Sequence, residues 1–225
     1  MTVIRKLWCL PYRVLRRFGT ASVCYFFGSD TETIPTVNLP TPLVVEEMSL
    51  ARIMRFVSPE HQLDQTHVEL IRSDKAECLA VFDEESLAAF LWVAFCDVCG
   101  ELNHTGNPRT ELPLYLPENT AYVFHVLVMP EYRGRRLYGA MMSHLAASLR
   151  TRDIERLILT TEWTNESAIT SVERMRFKKL GRSSILGIGP ISIVRYPKQP
   201  FFGDVRLGRY AGDAHSFPIT TSGAE

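Results

Sequence analysis

The feature that most constrains the fold lies near the middle of the chain. Residues 121–128 (AYVFHVLV) are strongly β-prone, Pro130 ends the run, and Leu137, Met141, Leu145 and Leu149 then recur at four-residue intervals. The first pattern predicts a strand, and the second a helix over about 135–150. Between them stand Arg133, Gly134, Arg135 and Arg136. A strand that passes through a basic turn into a helix N-terminus builds an anion site. The N–H groups of the first helical turn lack intrahelical partners, and the helix dipole adds positive potential. Three arginines add charge-assisted hydrogen bonds, and a pyrophosphate suits that chemistry.

The flanking sequence supplies partners for this unit. Residues 22–27 form a short apolar, β-prone run, and residues 28–42, with three prolines, read as a linker or extended connection. Apolar spacing predicts helices over 46–57 and 59–72. Residues 78–95 read as two strands joined by a turn at 83–86, and residues 97–119 as a loop. A buried strand follows at 157–161, then a helix capped by Thr164 or Asn165 with Ile169, Val172 and Met175 on one face. Residues 177–196 hold one or two further strands. This order predicts a mixed α/β fold with one central sheet covered by helices. Residues 1–45 read as a basic extension and linker, 46–196 as the main domain, and 197–225 as a tail, loosely packed or disordered at its end.

Charge and cysteine usage narrow the function classes. With 25 basic and 25 acidic side chains among 225 residues, no net field draws in nucleic acid. The charge is uneven, because Arg5, Lys6, Arg13, Arg16 and Arg17 precede the first acid, Asp30. Two readings stand for residues 1–18: an amphipathic segment on an anionic membrane surface, or a solvated or locally packed extension. No run approaches the roughly 18 apolar residues of a membrane span, and arginines interrupt any signal-peptide core. The expectation is a cytoplasmic protein, with peripheral contact at the inner membrane surface left open. Five cysteines argue against a disulfide framework. Cys96, Cys99 and His104 are one ligand short of a zinc site, so no metal is expected.

At residues 126–142, VLVMPEYRGRRLYGAMM, the chain resembles motif A of the GNAT superfamily of acyl-CoA N-acyltransferases, V-x-P-x-x-R-G-x-G-x-G. Val128, Pro130, Arg133 and Gly134 match in register. Residues 165–177, NESAITSVERMRF, resemble the family's N-x-x-A-x-x-x-Y-E-K-x-G-F through Asn165, Ala168, Glu173 and Phe177, with Arg174 for the lysine. The two motifs stand in the family's order and spacing. The resemblance covers about residues 48–196 and is specific over 120–181. It implies a GNAT-like fold, with a central, mostly antiparallel sheet whose middle strands splay and are flanked by helices. It implies acetyl-CoA, or another acyl-CoA, as co-substrate. Val126, Leu127 and Val128 would meet the pantetheine arm, Arg133, Gly134, Arg135, Arg136, Leu137, Tyr138 and Gly139 the pyrophosphate, and Asn165 would complete the cofactor set.

The departures from the family pattern are specific. Arg136 and Tyr138 occupy the second and third motif glycines, and Val172 replaces the tyrosine that protonates the departing thiolate in many members. Amide formation needs an amine freed of its proton and a polarised carbonyl. Four residues are candidates for the proton chemistry. Tyr122 shares a face with Val128 if alternation is regular, and it aligns with a glutamate of some relatives. His125 has the better pKa but falls on the opposite face unless a bulge intervenes. Glu162 follows the next strand, and Tyr138 opens the helix. Each has a plain structural alternative: His125 a packed strand histidine, Glu162 a solvated loop acid, Tyr138 a core tyrosine. The implied function is transfer of an acetyl or short acyl group to a primary amine of a small molecule or peptide, with a homodimer compatible. Two alternatives are an N-acyl synthase fed by an acyl carrier protein and a non-catalytic binding module.

Overall fold

The structure is a computed structural model that describes residues 11–98 apart from 13, 16 and 18, then 113–188, 191–197, 202 and 205–207. In chain order the elements are β1 (Thr20–Asp30), a 3-10 turn (Thr31–Thr33), β2 (Val44–Glu47), α1 (Leu50–Phe56), α2 (Gln65–Arg72), β3 (Ala76–Asp83), β4 (Ser86–Ala94), β5 (Leu114–Tyr115) and β6 (Thr120–Val128). A second 3-10 turn (Pro130–Tyr132) leads to α3 (Leu137–Arg150), β7 (Arg156–Glu162), α4 (Glu166–Arg174), β8 (Lys178–Ile188), β9 (Ile191–Arg195) and β10 (Arg206–Leu207). The expected mixed α/β fold with mostly antiparallel pairing is the one adopted.

The chain forms two compact units. The first comprises residues 29–96 and 118–158. Its strands run in the order β2, β3, β4, β6, each antiparallel to its neighbour. The hairpin expected over 78–95 is present, and Glu84 takes the left-handed φ of 53° that closes so tight a turn. Helix ends follow their caps. The Ser49 hydroxyl accepts from the Arg52 N–H at 3.3 Å to start α1, and the Asp64 carboxylate accepts from Thr66 and His67 N–H groups to start α2. Helix α3 buries Leu137, Met141, Leu145 and Leu149 as the spacing predicts, with Ala140, Met142 and Ala146 widening the stripe.

The second unit comprises residues 1–28, 97–117 and 159–225. In it β1, β8 and β9 pair antiparallel in that order. Helix α4 starts at Asn165, whose side chain accepts from the Ala168 N–H at 3.1 Å. Tyr12 is buried, stacks edge-on against Trp163 at 5.3 Å, and donates its hydroxyl proton to Glu162 at 2.8 Å.

Several boundaries differ from expectation. The strand at 22–27 extends over Thr20–Asp30 and pairs with β8. The helix expected from residue 46 begins at Leu50, because Val44–Glu47 pairs with β3; Val44 and Val45 supply β-propensity where the 3.6-residue spacing is loose. Of the expected linker 28–42, residues 29–42 are anchored on their own unit. Thr31 donates to the Glu155 and Ile154 carbonyls and accepts from Arg150, and the Val37 N–H donates to the Ser143 hydroxyl. Within 97–119 and the tail, β5 pairs with β10. Cys99, His104 and most of residues 1–18 lie outside the described residues. Among the described residues no helix is long and apolar enough to cross a membrane, and no three His, Cys, Asp or Glu side chains are placed to hold a metal ion.

The packing of α3 predicts a contrast along one helix. Met141 is fully buried and His144 is exposed. Met141→Ala should cost about 2–5 kcal/mol in urea unfolding, whereas His144→Ala should change stability by less than about 0.5 kcal/mol.

Candidate functional site

The basic turn has the backbone that an anion site needs. Gly134 takes φ 81° and Arg136 φ 61°, both left-handed. A Cβ on Gly134 would meet nothing within 4 Å, so its φ rather than crowding calls for glycine. Arg136 is the residue before α3 and its side chain makes no capping bond, so helix N–H groups are left for another acceptor. It stands where the family motif has its second glycine and keeps a glycine-like backbone. That left-handed residue delays the helix start from the expected 135 to Leu137. Arg133, Arg135 and Arg136 are all exposed.

Neighbouring contacts hold the turn. The Arg133 Nε–H donates to the Val128 carbonyl at 3.3 Å. The Tyr132 hydroxyl donates to Asp83 at 3.0 Å, and the Arg135 guanidinium lies 5.1 Å from the Tyr132 ring centre. Desolvation, then the Asp83 carboxylate that accepts its proton, pushes the Tyr132 hydroxyl up from its ordinary pKa. Val126, Leu127 and Val128 are half-buried on β6, the Leu137 side chain is in the core, and Gly139 is half-buried in the first helical turn.

The register of β6 decides which face each candidate occupies. His125 opposes Trp92, but Val123 opposes Val93, so Phe124 is an extra residue in β6. Antiparallel partners share a face. His125, opposite Trp92, therefore lies with Tyr122, opposite Ala94, while Val128, opposite Ala89, lies on the other side. The expectation that Tyr122 and Val128 share a face is corrected: the bulge reverses the alternation between them. The Tyr122 ring is also fully buried, stacked at 6.4 Å on Phe124.

His125 is half-buried, with the Phe90 ring edge-on at 5.1 Å. Its Nδ1 lies 3.2 Å from His67 Nε2, and His67 Nδ1 lies 2.8 Å from Asp64 Oδ1. Desolvation, reinforced by repulsion from His67, lowers the His125 pKa from 6.5 to about 4. Asp64 and His67 were not among the sequence candidates. The available signal was Asp64 three residues before His67 at a helix start, a capping pattern.

The remaining candidates are more dispersed. Tyr138 is half-exposed as a residue, yet its hydroxyl is shut away from solvent without a hydrogen-bond partner, and burial pushes its pKa well up. Glu162, Asn165 and Val172 belong to the second unit. Glu162 accepts from Tyr12, Asn165 caps α4, and Val172 is buried in the core. A groove of about 230 Å³ lies between residues 34–39 and α3, with Asn38, Ser143, His144 and Arg150 in its lining, apart from the basic turn.

The sequence profile of the Acetyltransferase (GNAT) family matches residues 46–177, well over half of the chain. The chain belongs to the GNAT acetyltransferase family. No curated protein sequence matches it. Among solved structures, a Drosophila protein is similar with a TM-score of 0.51 and 14% identity over 81% of this chain. That overlap covers 58% of the Drosophila protein, so this GNAT chain spans under two thirds of its length. A GNAT acetyltransferase from Colwellia psychrerythraea superposes with a TM-score of 0.49 and 15% identity, over 81% of this chain and 60% of that one. The ribosomal-protein-alanine N-acetyltransferase of Brucella melitensis gives 0.44 and 18%, over 59% and 90%.

Two measurements check this geometry. A β-branched side chain is worst placed at φ 61°, so Arg136→Gly should be more stable than Arg136→Val by about 1–2 kcal/mol in thermal unfolding. For His125 the unfolded imidazole takes up its proton near 6.5 and the folded one near about 4. Between those values the unfolded chain binds more protons, so stability falls as pH falls, by about 1.4 kcal/mol per pH unit, and the slope ends below the folded pKa. His125→Phe should remove that component from the pH dependence of urea unfolding.

Proposed function

We propose that this GNAT protein transfers an acetyl or short acyl group from acyl-CoA to a primary amine. The observation that carries the reading is the turn ahead of α3. Gly134 and Arg136 are left-handed, the helix start has no side-chain cap, and three exposed arginines surround it. Backbone N–H groups of 134–139 would hold the pyrophosphate, with Arg133, Arg135 and Arg136 pairing its charge. Val126, Leu127 and Val128 would offer backbone hydrogen bonds to the pantetheine arm. When bound, acyl-CoA supplies the activated thioester carbonyl.

The chain's own residues supply the proton chemistry. Desolvation holds the His125 pKa down to about 4, which leaves the ring neutral and a candidate acceptor for the amine proton, while the same shift makes it a weaker base. Tyr122 and Glu162 fit that role less well, one fully buried and the other holding the Tyr12 hydroxyl. Val172 has no proton to give. Tyr138 is the remaining sequence candidate for donor to the leaving thiolate, and the burial that raises its pKa makes it a weak acid for that role. The acceptor is a small molecule or a peptide amine. A carrier-protein donor, whose acidic surface would need the basic residues at 133–136 and 150–156, is less favoured, because part of that surface is already engaged. Arg152 pairs with Glu77 at 2.8 Å and lies over the Phe95 ring, while Arg150 donates to the Thr31 carbonyl.

Calorimetric titration with acetyl-CoA tests the reading. Saturable binding is expected, with affinity falling at least tenfold in an Arg133→Ala, Arg136→Ala double variant that remains folded. A folded wild-type chain that binds no acetyl-CoA at millimolar concentration overturns it. Where binding holds, a screen of primary amines by thiol release identifies the acceptor.

A further inference from the structure

Helix α2 and strand β6 together build a hydrogen-bonded row of three titratable side chains, Asp64, His67 and His125. Its polarity follows from the distances. His67 Nδ1 lies 2.8 Å from a carboxylate oxygen, where a bare nitrogen lone pair would be repelled, so Nδ1 carries the proton. The Asp64 backbone N–H also points to that nitrogen, but at 3.3 Å, and the shorter, charge-assisted contact decides the tautomer. His67 Nε2 is then an acceptor, and the His125 Nδ1 that faces it at 3.2 Å must be the donor. That leaves Nε2 of His125 as the basic nitrogen. The rings are held by packing. Trp92 lies 5.1 Å from His67, and Phe90 meets His125 edge-on. The Trp92 indole N–H, buried beside this pair, has no partner.

We infer that Asp64 and His67 are positioning residues for acyl transfer: they fix His125 as an Nε2 base and carry away the proton it removes from the amine. The inference rests on the acyltransferase reading above. In the step, an N–H bond of the protonated amine, an ammonium, breaks with its electron pair staying on nitrogen as the Nε2–H bond of His125 forms. The Nδ1–H bond of His125 breaks as its proton passes to Nε2 of His67. His125 ends neutral in its other tautomer, the positive charge rests on His67 beside the Asp64 carboxylate, and the amine lone pair is free to attack the acyl carbon. The physical reason is that a cation on His125 is disfavoured by desolvation and by His67, whereas a cation on His67 has a carboxylate at 2.8 Å. Asp64 in turn is held below its ordinary pKa: desolvation works against this, but hydrogen bonds and charge from His67 outweigh it. His67 and Asp64 are the charged groups that act on His125, and the strand register puts Tyr122 of β6, Cys78 of β3 and Glu46 of β2 on the same face of the sheet.

The test uses the full chain labelled with ¹⁵N and imidazole NMR through a pH titration. Neutral His67 and His125 should both be Nδ1–H tautomers, and the first proton taken up should add to Nε2 of His67. Asp64→Asn keeps a good helix cap while removing the charge, so the chain should stay folded while His67 loses its carboxylate partner. With acetyl-CoA and the amine found in the screen, Asp64→Asn should lower kcat/KM about tenfold. It should move the acid limb of the pH profile to lower pH and leave acetyl-CoA affinity unchanged; His67→Gln should lower kcat/KM further. An Nε2–H tautomer at His67, first protonation at His125, or an acid limb that stays in place in an Asp64→Asn chain binding acetyl-CoA normally would overturn the relay alone. A wild-type chain that binds no acetyl-CoA overturns the acyltransferase reading instead, and the NMR result still judges the row.

Discussion

The antiparallel register between β4 and β6 is the constraint on which the rest of the first unit depends. Each pairing fixes a face, and the single extra residue, Phe124, reverses the faces between Tyr122 and Val128. Upstream of it the strand is wholly buried; downstream it is half-buried and leads into the basic turn. The same bulge puts His125 opposite Trp92, within reach of α2. A strand without the bulge could not present Tyr122 and His125 to one side while delivering Val128 to the turn from the other.

The turn shows how the family motif tolerates its missing glycine. Arg136 keeps the left-handed backbone at a cost of about 1–2 kcal/mol. It gains a guanidinium beside helix N–H groups that no side chain caps. Around it, Tyr132 on Asp83 and Arg133 on the Val128 carbonyl tie the turn to its own unit. The site's positive potential therefore sits on an anchored backbone, the arrangement that limits the ordering cost of holding an anion.

Electrostatics divides the titratable residues by surroundings rather than by type. His125 and Tyr138 both sit in desolvated positions and both stay neutral, one because its proton is hard to add and the other because it is hard to remove. Glu162, equal to them as a sequence candidate, is instead tied to Tyr12 in the second unit, which gives part of the N-terminal segment a structural role.

Reading the chain alone established what short-range chemistry controls. The four-residue spacing of Leu137, Met141, Leu145 and Leu149, the β-prone run ending at Pro130, the hairpin between residues 78 and 95 and the Asn165 cap all reappear in the structure, because each depends on neighbours within a few residues. The two ordered motifs indicated the GNAT family that the profile match shows. Tertiary structure alone decided the rest. Val44–Glu47 became a strand because β3 offered it a partner, and Tyr122 changed faces because of one unpaired residue in β6. His67 reached His125 across 58 residues of sequence, a distance that no periodicity encodes. Local propensity fixes which elements form, but which side chains meet depends on register and on packing between elements remote in the chain.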